Sequence, residues 1–238
     1  MHPRLLVLLL GVALLTLASA RRTSAQQPGF ARLPAEVFDV VPPSARVRGV
    51  PGTMVVQPRA CHTAPTADTR RRIVDVAIQE WGFFGFRLAA ATDTEDNDTP
   101  GNGTLDGGEP RRGRRSRLPP AEAERVAASI AGYWAVTPEG SWIVARQNDR
   151  WNADGIAARW NAPWSAAFVS WVMCEAGLGA TAQFHRAIAH HTYIDQALRA
   201  RDGSASQAAY AAYDPGETAI EPGDLLCSSR RPAYRSIA

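Results

Sequence analysis

The stretch from Asn161 to Met173, NAPWSAAFVSWVM, constrains the fold more than any other part of the chain. Trp164, Ala167, Phe168, Trp171 and Val172 recur at i, i+3, i+4, i+7 and i+8. That spacing makes one broad apolar stripe, so a helix here has to lie in a core. Pro163 fits the first helical turn, where its missing N–H has no intrahelical partner to lose. Gly177 and Gly179 are placed to close the helix. Ser165 then falls in the first turn, beside unpartnered backbone N–H groups and at the positive end of the helix dipole. That is where a cysteine would be biased towards thiolate. A serine there reads as a nucleophile, as the relic of one, or as a small residue in a packed helix.

Two further segments carry helical periodicity. Ile73, Val74, Ala77, Ile78 and Trp81 form an apolar stripe that Asp68 or Thr69 can cap, and the aromatic run through Phe86 ends or bends it. Val126, Ile130 and Trp134 are in register on a helix from about Ala121 to Trp134, started by Pro119 and Pro120. Residues 146–160 read as a polar connection with a short helix after Asp154. Residues 26–66 are proline-rich and lack a sustained period. They read as an extended arm with a short strand around Thr53–Val56, or as a linker without fixed structure.

Composition matters here mainly for what it removes. Residues 1–25 have the layout of a secretory signal peptide: Arg4, an apolar run from Leu5 to Leu17, then a small-residue cleavage site. The apolar run is too short to span a bilayer comfortably, so no stable membrane insertion is expected after cleavage. Cleavage after Ala25 would remove Arg4, Arg21 and Arg22 and bring the formal net charge from +3 to zero. A nucleic-acid partner loses its main support with those charges. All 26 basic residues are arginine, so single arginines carry little information about phosphate binding. The roughly 213 residues that remain suit one domain, residues 67–238, with the arm as its extension. Cys61, Cys174 and Cys227 are compatible with one disulfide and one free thiol, with the pairing open. No cofactor is implied.

Residues 92–118 form a separate charged stretch, with six acids followed by five arginines. Asp98, Asn102, Asp106 and Glu109 fall at positions 1, 5, 9 and 12 of a calcium-loop pattern, with Gly103 at position 6. Pro100 at position 3 supplies no carboxylate, and the exit is Pro110 with an arginine cluster. The stretch reads either as a self-neutralising surface loop or as a calcium site.

PWSAAFVSWVMCEAGL, FHRAIAHHTYIDQA and EPGDLLCSSR, with weaker matches at IVDVAIQEWGFFG and AGYW, resemble DUF2272, a bacterial family of unknown function. They also resemble, more distantly, the NlpC/P60 and CHAP peptidases of the papain-like superfamily. The resemblance implies an α+β fold: a papain-like helical half and a small, incomplete antiparallel sheet whose first strand lies near Asp224–Cys227. It implies that Ser165 stands where those peptidases carry the catalytic cysteine, with Trp164 and Asp224 along the substrate groove. It also implies a histidine some 15–20 residues past the turn at Gly223, Asp224 and Leu225. Only 13 residues follow Leu225 and none is histidine, so the chain reads as truncated within the domain.

A serine hydroxyl is not ionised by a helix dipole, so a general base is obligatory. The histidines of residues 184–200, a segment expected to be helical, are the alternatives within the chain. His191 and Asp195 are spaced i and i+4, so the carboxylate can orient the imidazole in a triad with Ser165. His190 is the other candidate. The expected function is an exported hydrolase relative acting on peptidoglycan amide bonds. The alternatives are an inactive module that binds the cell envelope and a calcium-stabilised surface protein.

Overall fold

The computed structural model describes residues 30–62, 68–86, 120–156, 158, 160 and 162–227. The architecture is α+β, dominated by helices. In chain order the elements are α1 (Ala35–Phe38), a 3-10 turn (Pro43–Arg46), β1 (Val47–Arg48), β2 (Val55–Val56), α2 (Thr69–Phe83), α3 (Pro120–Trp134), α4 (Gly140–Asp154), α5 (Ser165–Glu175) and α6 (His190–Arg201). Among the described residues no helix is long and apolar enough to cross a membrane.

The helix expected from Pro163 is the centre of the molecule. It starts at Ser165, and Ala167, Trp171 and Cys174 are wholly buried. α3 packs on it through Ala131, Tyr133 and Trp134, also inaccessible to solvent. The close approach of α3 to the 3-10 turn depends on Gly132. A Cβ at that position would lie 1.8 Å from the Pro43 carbonyl oxygen, so only glycine fits.

α2 forms as expected but is rotated. Ile78 and Trp81, read as core positions, are 49% and 43% exposed, while Ile73, Val76, Glu80 and Phe83 face inward. The cause is Glu80, a charge no apolar stripe includes. Its carboxylate accepts hydrogen bonds from Arg32 (Nε, 2.7 Å) and from the buried Tyr133 hydroxyl, and Arg32 also donates to Ser129 Oγ at 2.9 Å. The Arg32 and Arg125 guanidinium groups lie 3.4 and 3.8 Å from the Phe83 ring centroid. A buried charge needs a partner and hydrogen bonds, and the helix turns to supply them.

The small antiparallel sheet lies elsewhere than expected. It pairs Val47 with Val56 and Arg48 with Val55, inside the proline-rich segment. Residues 224–227 form no strand. Residues 146–154, read as a polar connection, belong to α4, whose buried face is Ile143, Val144, Gln147 and Trp151. Gln147 interrupts the apolar stripe in sequence and occupies it in space.

The segment ahead of α2 is anchored to the far end of α5. Cys61 and Cys174 form a disulfide across 113 residues of sequence. Beside it, buried Arg46 donates to Glu175 Oε1 (2.5 Å) and to the carbonyls of Arg59 (2.8 Å) and Ala60 (3.2 Å). Glu175 Oε2 accepts from the Val41 N–H at 3.0 Å. The Glu175 carbonyl, one of the four left over at a helix end, accepts from Arg72 Nε at 2.7 Å.

Candidate active site

Ser165 opens α5, and the preceding Trp164 provides no side-chain cap. The first backbone N–H groups of α5 therefore lack an intrahelical acceptor. His190 opens α6, whose preceding residue, Ala189, is likewise no cap. Two helix N-termini thus meet, and Ser165 Oγ lies 2.8 Å from His190 Nε2 at the protein surface. The positive ends of both helices favour negative charge at this point.

The loop between α5 and α6 holds the histidine in place through polar side chains on both helices. Ser170, fully buried in α5, donates to the Ala187 carbonyl (3.2 Å) and accepts from its N–H (3.1 Å). Gln196 of α6 accepts from the His185 N–H at 2.7 Å and donates to the carbonyls of Thr181 and Ala182 at 2.9 and 3.0 Å. Residues 184–189, expected to be helical, are instead a clamped turn.

The second nitrogen of the ring, His190 Nδ1, is hydrogen-bonded to the Tyr193 hydroxyl. Tyr193 is buried and its ring stacks on Phe184, with centroids 5.0 Å apart. Burial pushes the phenol well above its ordinary range, with the charge of a Cys227 thiolate as a lesser cause. Tyr193 therefore stays neutral. Two hydrogen-bond polarities are open to the chain of three groups. Ser165 can donate to Nε2 while Nδ1–H donates to Tyr193, the arrangement of a general base. The reverse places the proton on Nε2 and leaves the serine hydroxyl as acceptor.

His190, rather than His191, is thus the imidazole beside Ser165, and Tyr193 takes the place expected of Asp195. His191 and Asp195 are exposed on α6. Tyr193 was legible only as the residue three after His190, on the same helix face. Trp164 is next to the serine, stacked against Phe84 and Tyr133 with centroids 6.0 and 5.9 Å away. Asp224 has a different use. Its carboxylate accepts from the Glu221 N–H (2.8 Å) and Arg70 Nη1 (2.6 Å), which draws it below the usual carboxylate range and pins the turn at 221–224 to α2. Asp98, Asn102, Asp106 and Glu109 lie outside the described residues. Among those described, no cluster of three metal-ligating side chains occurs.

Residues 122–236 match the family model described as an uncharacterized protein conserved in bacteria, DUF2272. That stretch is similar to the DUF2272 family. The matched region contains α5, α6, the clamped turn and all three residues of the Ser165–His190–Tyr193 chain. No curated protein and no solved structure matches the sequence.

Proposed function

We propose that this protein is an exported serine hydrolase acting on amide bonds of the cell envelope, with Ser165 as nucleophile and His190 as base. The observation that carries the reading is the 2.8 Å contact between Ser165 Oγ and His190 Nε2 at two converging helix N-termini. Ser165 Oγ attacks the carbonyl carbon and its proton passes to His190 Nε2. The tetrahedral oxyanion is received by the free N–H groups at the start of α5. Nε2–H then protonates the leaving amine, the carbon–nitrogen bond breaks and an acyl ester forms on Ser165. Water, deprotonated by the same imidazole, hydrolyses the ester. Tyr193 accepts from Nδ1–H and holds the ring in the tautomer required.

Support for export comes from the signal-like residues 1–25 and from the disulfide, a bond that persists in oxidising compartments. The peptidoglycan substrate rests on the resemblance to papain-like cell-wall peptidases. The test is labelling with a fluorophosphonate, which phosphonylates an activated serine with loss of fluoride, followed by peptide mapping. Wild-type protein should be modified at Ser165, and the Ser165→Ala and His190→Ala variants should not be. Equal clearing of a peptidoglycan suspension by wild type and Ser165→Ala would sink the nucleophile role. Export predicts protein recovered from envelope fractions with Gln26 as its first residue.

One observation favours a second reading, an envelope-binding module without chemistry. The group behind the imidazole is a neutral phenol, and a carboxylate replaced by a neutral partner costs about 10⁴ in rate in serine proteases. Co-sedimentation with peptidoglycan without labelling at Ser165 would decide for it.

A further inference from the structure

A cavity of about 750 Å³ lies at the end of α5 remote from Ser165, bounded by the disulfide segment, the turn after α3 and the turn after α5. Eleven residues of helix put it on the order of 15 Å from the serine. Four basic side chains line it, Arg59, His62, His185 and Arg186, and among the described residues no aspartate or glutamate does. Thr181 and Gln183 add neutral polar groups to the wall.

Arg186 is fixed in the wall rather than paired with an acid. Its Nε donates to the Val136 carbonyl (3.1 Å) and its Nη1 to the Gly179 carbonyl (2.5 Å). Burial and the nearby Arg46 pull the Arg186 guanidinium below its ordinary range, so its charge is not offset where it stands. Arg46 itself is neutralised by Glu175. Arg59 is exposed at the rim and, among the described residues, makes neither a side-chain hydrogen bond nor an ion pair. His62 lies 3.7 Å from Asp39, a carboxylate open to solvent. An immobilised guanidinium, an exposed second guanidinium and two imidazoles, with no acid among the described residues of the wall, form a receptor for a negative group.

We infer that this cavity is an anion-binding site, distinct from Ser165 and His190, that takes a carboxylate or phosphate group between Arg59 and Arg186. The terminal carboxylate of a peptide and a phosphate of an envelope polymer or of free phosphate present the same chemistry to it. The guanidinium forks suit two oxygens of either group.

The test is calorimetric titration of the full chain carrying Ser165→Ala, which removes turnover and leaves the cavity intact. Inorganic phosphate and the acetylated dipeptide of D-alanine are the two probes, with sodium chloride at matched ionic strength as control. Saturable binding of one equivalent by either probe is expected, and the stronger of the two names the source. The Arg59 side chain is exposed and, among the described residues, makes no hydrogen bond or ion pair, so Arg59→Glu should fold normally and lose about tenfold or more in affinity. Equal heats from chloride and both probes, or unchanged affinity in a folded Arg59→Glu, would overturn the inference. Because binding is read without catalysis, its failure leaves the serine-hydrolase reading standing, and the converse holds.

Discussion

Opening the Cys61–Cys174 bond tests how the segment ahead of α2 is held. The bridge closes a loop of 113 residues. The chain-entropy relation then gives about 4.8 kcal/mol of stabilisation at 25 °C, from the conformations denied to the unfolded chain. In the folded state the segment keeps other attachments: Arg46 to Glu175, Val41 to Glu175, and the His62 N–H to the Cys174 carbonyl at 3.2 Å. The native structure should therefore survive the loss of the bond with lower stability. The double variant Cys61→Ser with Cys174→Ala suits the test, since Cys61 is half-buried and Cys174 has no room for a polar replacement. Urea unfolding should show a loss of about 4–5 kcal/mol, and the thermal midpoint should fall by roughly 10–20 °C for a chain of this size. Thiol titration of the untreated native protein should find one free cysteine, Cys227, and reduction should expose all three. Three reactive thiols before reduction would refute the bridge. A stability loss below about 1 kcal/mol would refute the entropic account and assign the docking to the side-chain network.

Gly132→Ala places a methyl group against the Pro43 backbone, where flexible side chains cannot yield; a loss of about 3 kcal/mol or more in urea unfolding is expected. Glu175→Gln leaves the 1% exposed Arg46 without a counter-charge and should cost about 3–5 kcal/mol in the same assay. Tyr193→Phe removes the partner of His190 Nδ1 while keeping the ring stacked on Phe184, so fluorophosphonate labelling of Ser165 should slow about tenfold or more with unfolding unchanged. The Tyr210 phenol, which donates to the Gly223 carbonyl at 2.9 Å, is pushed up to about 12, chiefly by burial. The native state thus holds this proton more tightly than the unfolded chain. Its contribution is complete below the ordinary phenol value of 10.0 and is lost as pH rises to about 12. Subtracting the phenolate absorbance titration of Tyr210→Phe from that of wild type should isolate a midpoint near 12.

Legibility of the fold follows the kind of residue that faces the core. α3 and α5 present nearly unbroken apolar stripes, and periodicity locates them within a residue or two. α2 is legible as a helix but not in its rotation, because its inward face includes Glu80, whose partners Arg32 and Tyr133 are remote in sequence. α4 is hidden from periodicity because Gln147 sits in its buried stripe. The strand pair at Val47–Arg48 and Val55–Val56 is too short for a period of two to show. At the site, Ser165 and His190 were visible as residue types at suggestive positions. The choice of His190 over His191 was not, because it depends on where α6 starts. Ser170 and Gln196 set that start by clamping the turn before it, and neither residue announces such a role in sequence.

The clamps also bear on why a serine can be poised here without a carboxylate behind its histidine. A cysteine at the head of a helix can be drawn towards thiolate by the dipole alone, but a hydroxyl requires a base in hydrogen-bond contact. That contact joins the first residues of two separate helices, so it lasts only as long as the intervening turn keeps its shape. Ser170 fixes the turn to α5, Gln196 fixes it to α6, and Arg186 fixes it to the carbonyls of Gly179 and Val136. Arg186 is also a wall of the basic cavity, so one turn shapes both the surface dyad and the pocket at the opposite end of α5. In the proposed hydrolysis the two helix N-termini favour the oxyanion and disfavour an imidazolium, and neutral Tyr193 adds only orientation. Such a site gains more from holding its groups in place and stabilising negative charge than from the strength of its base.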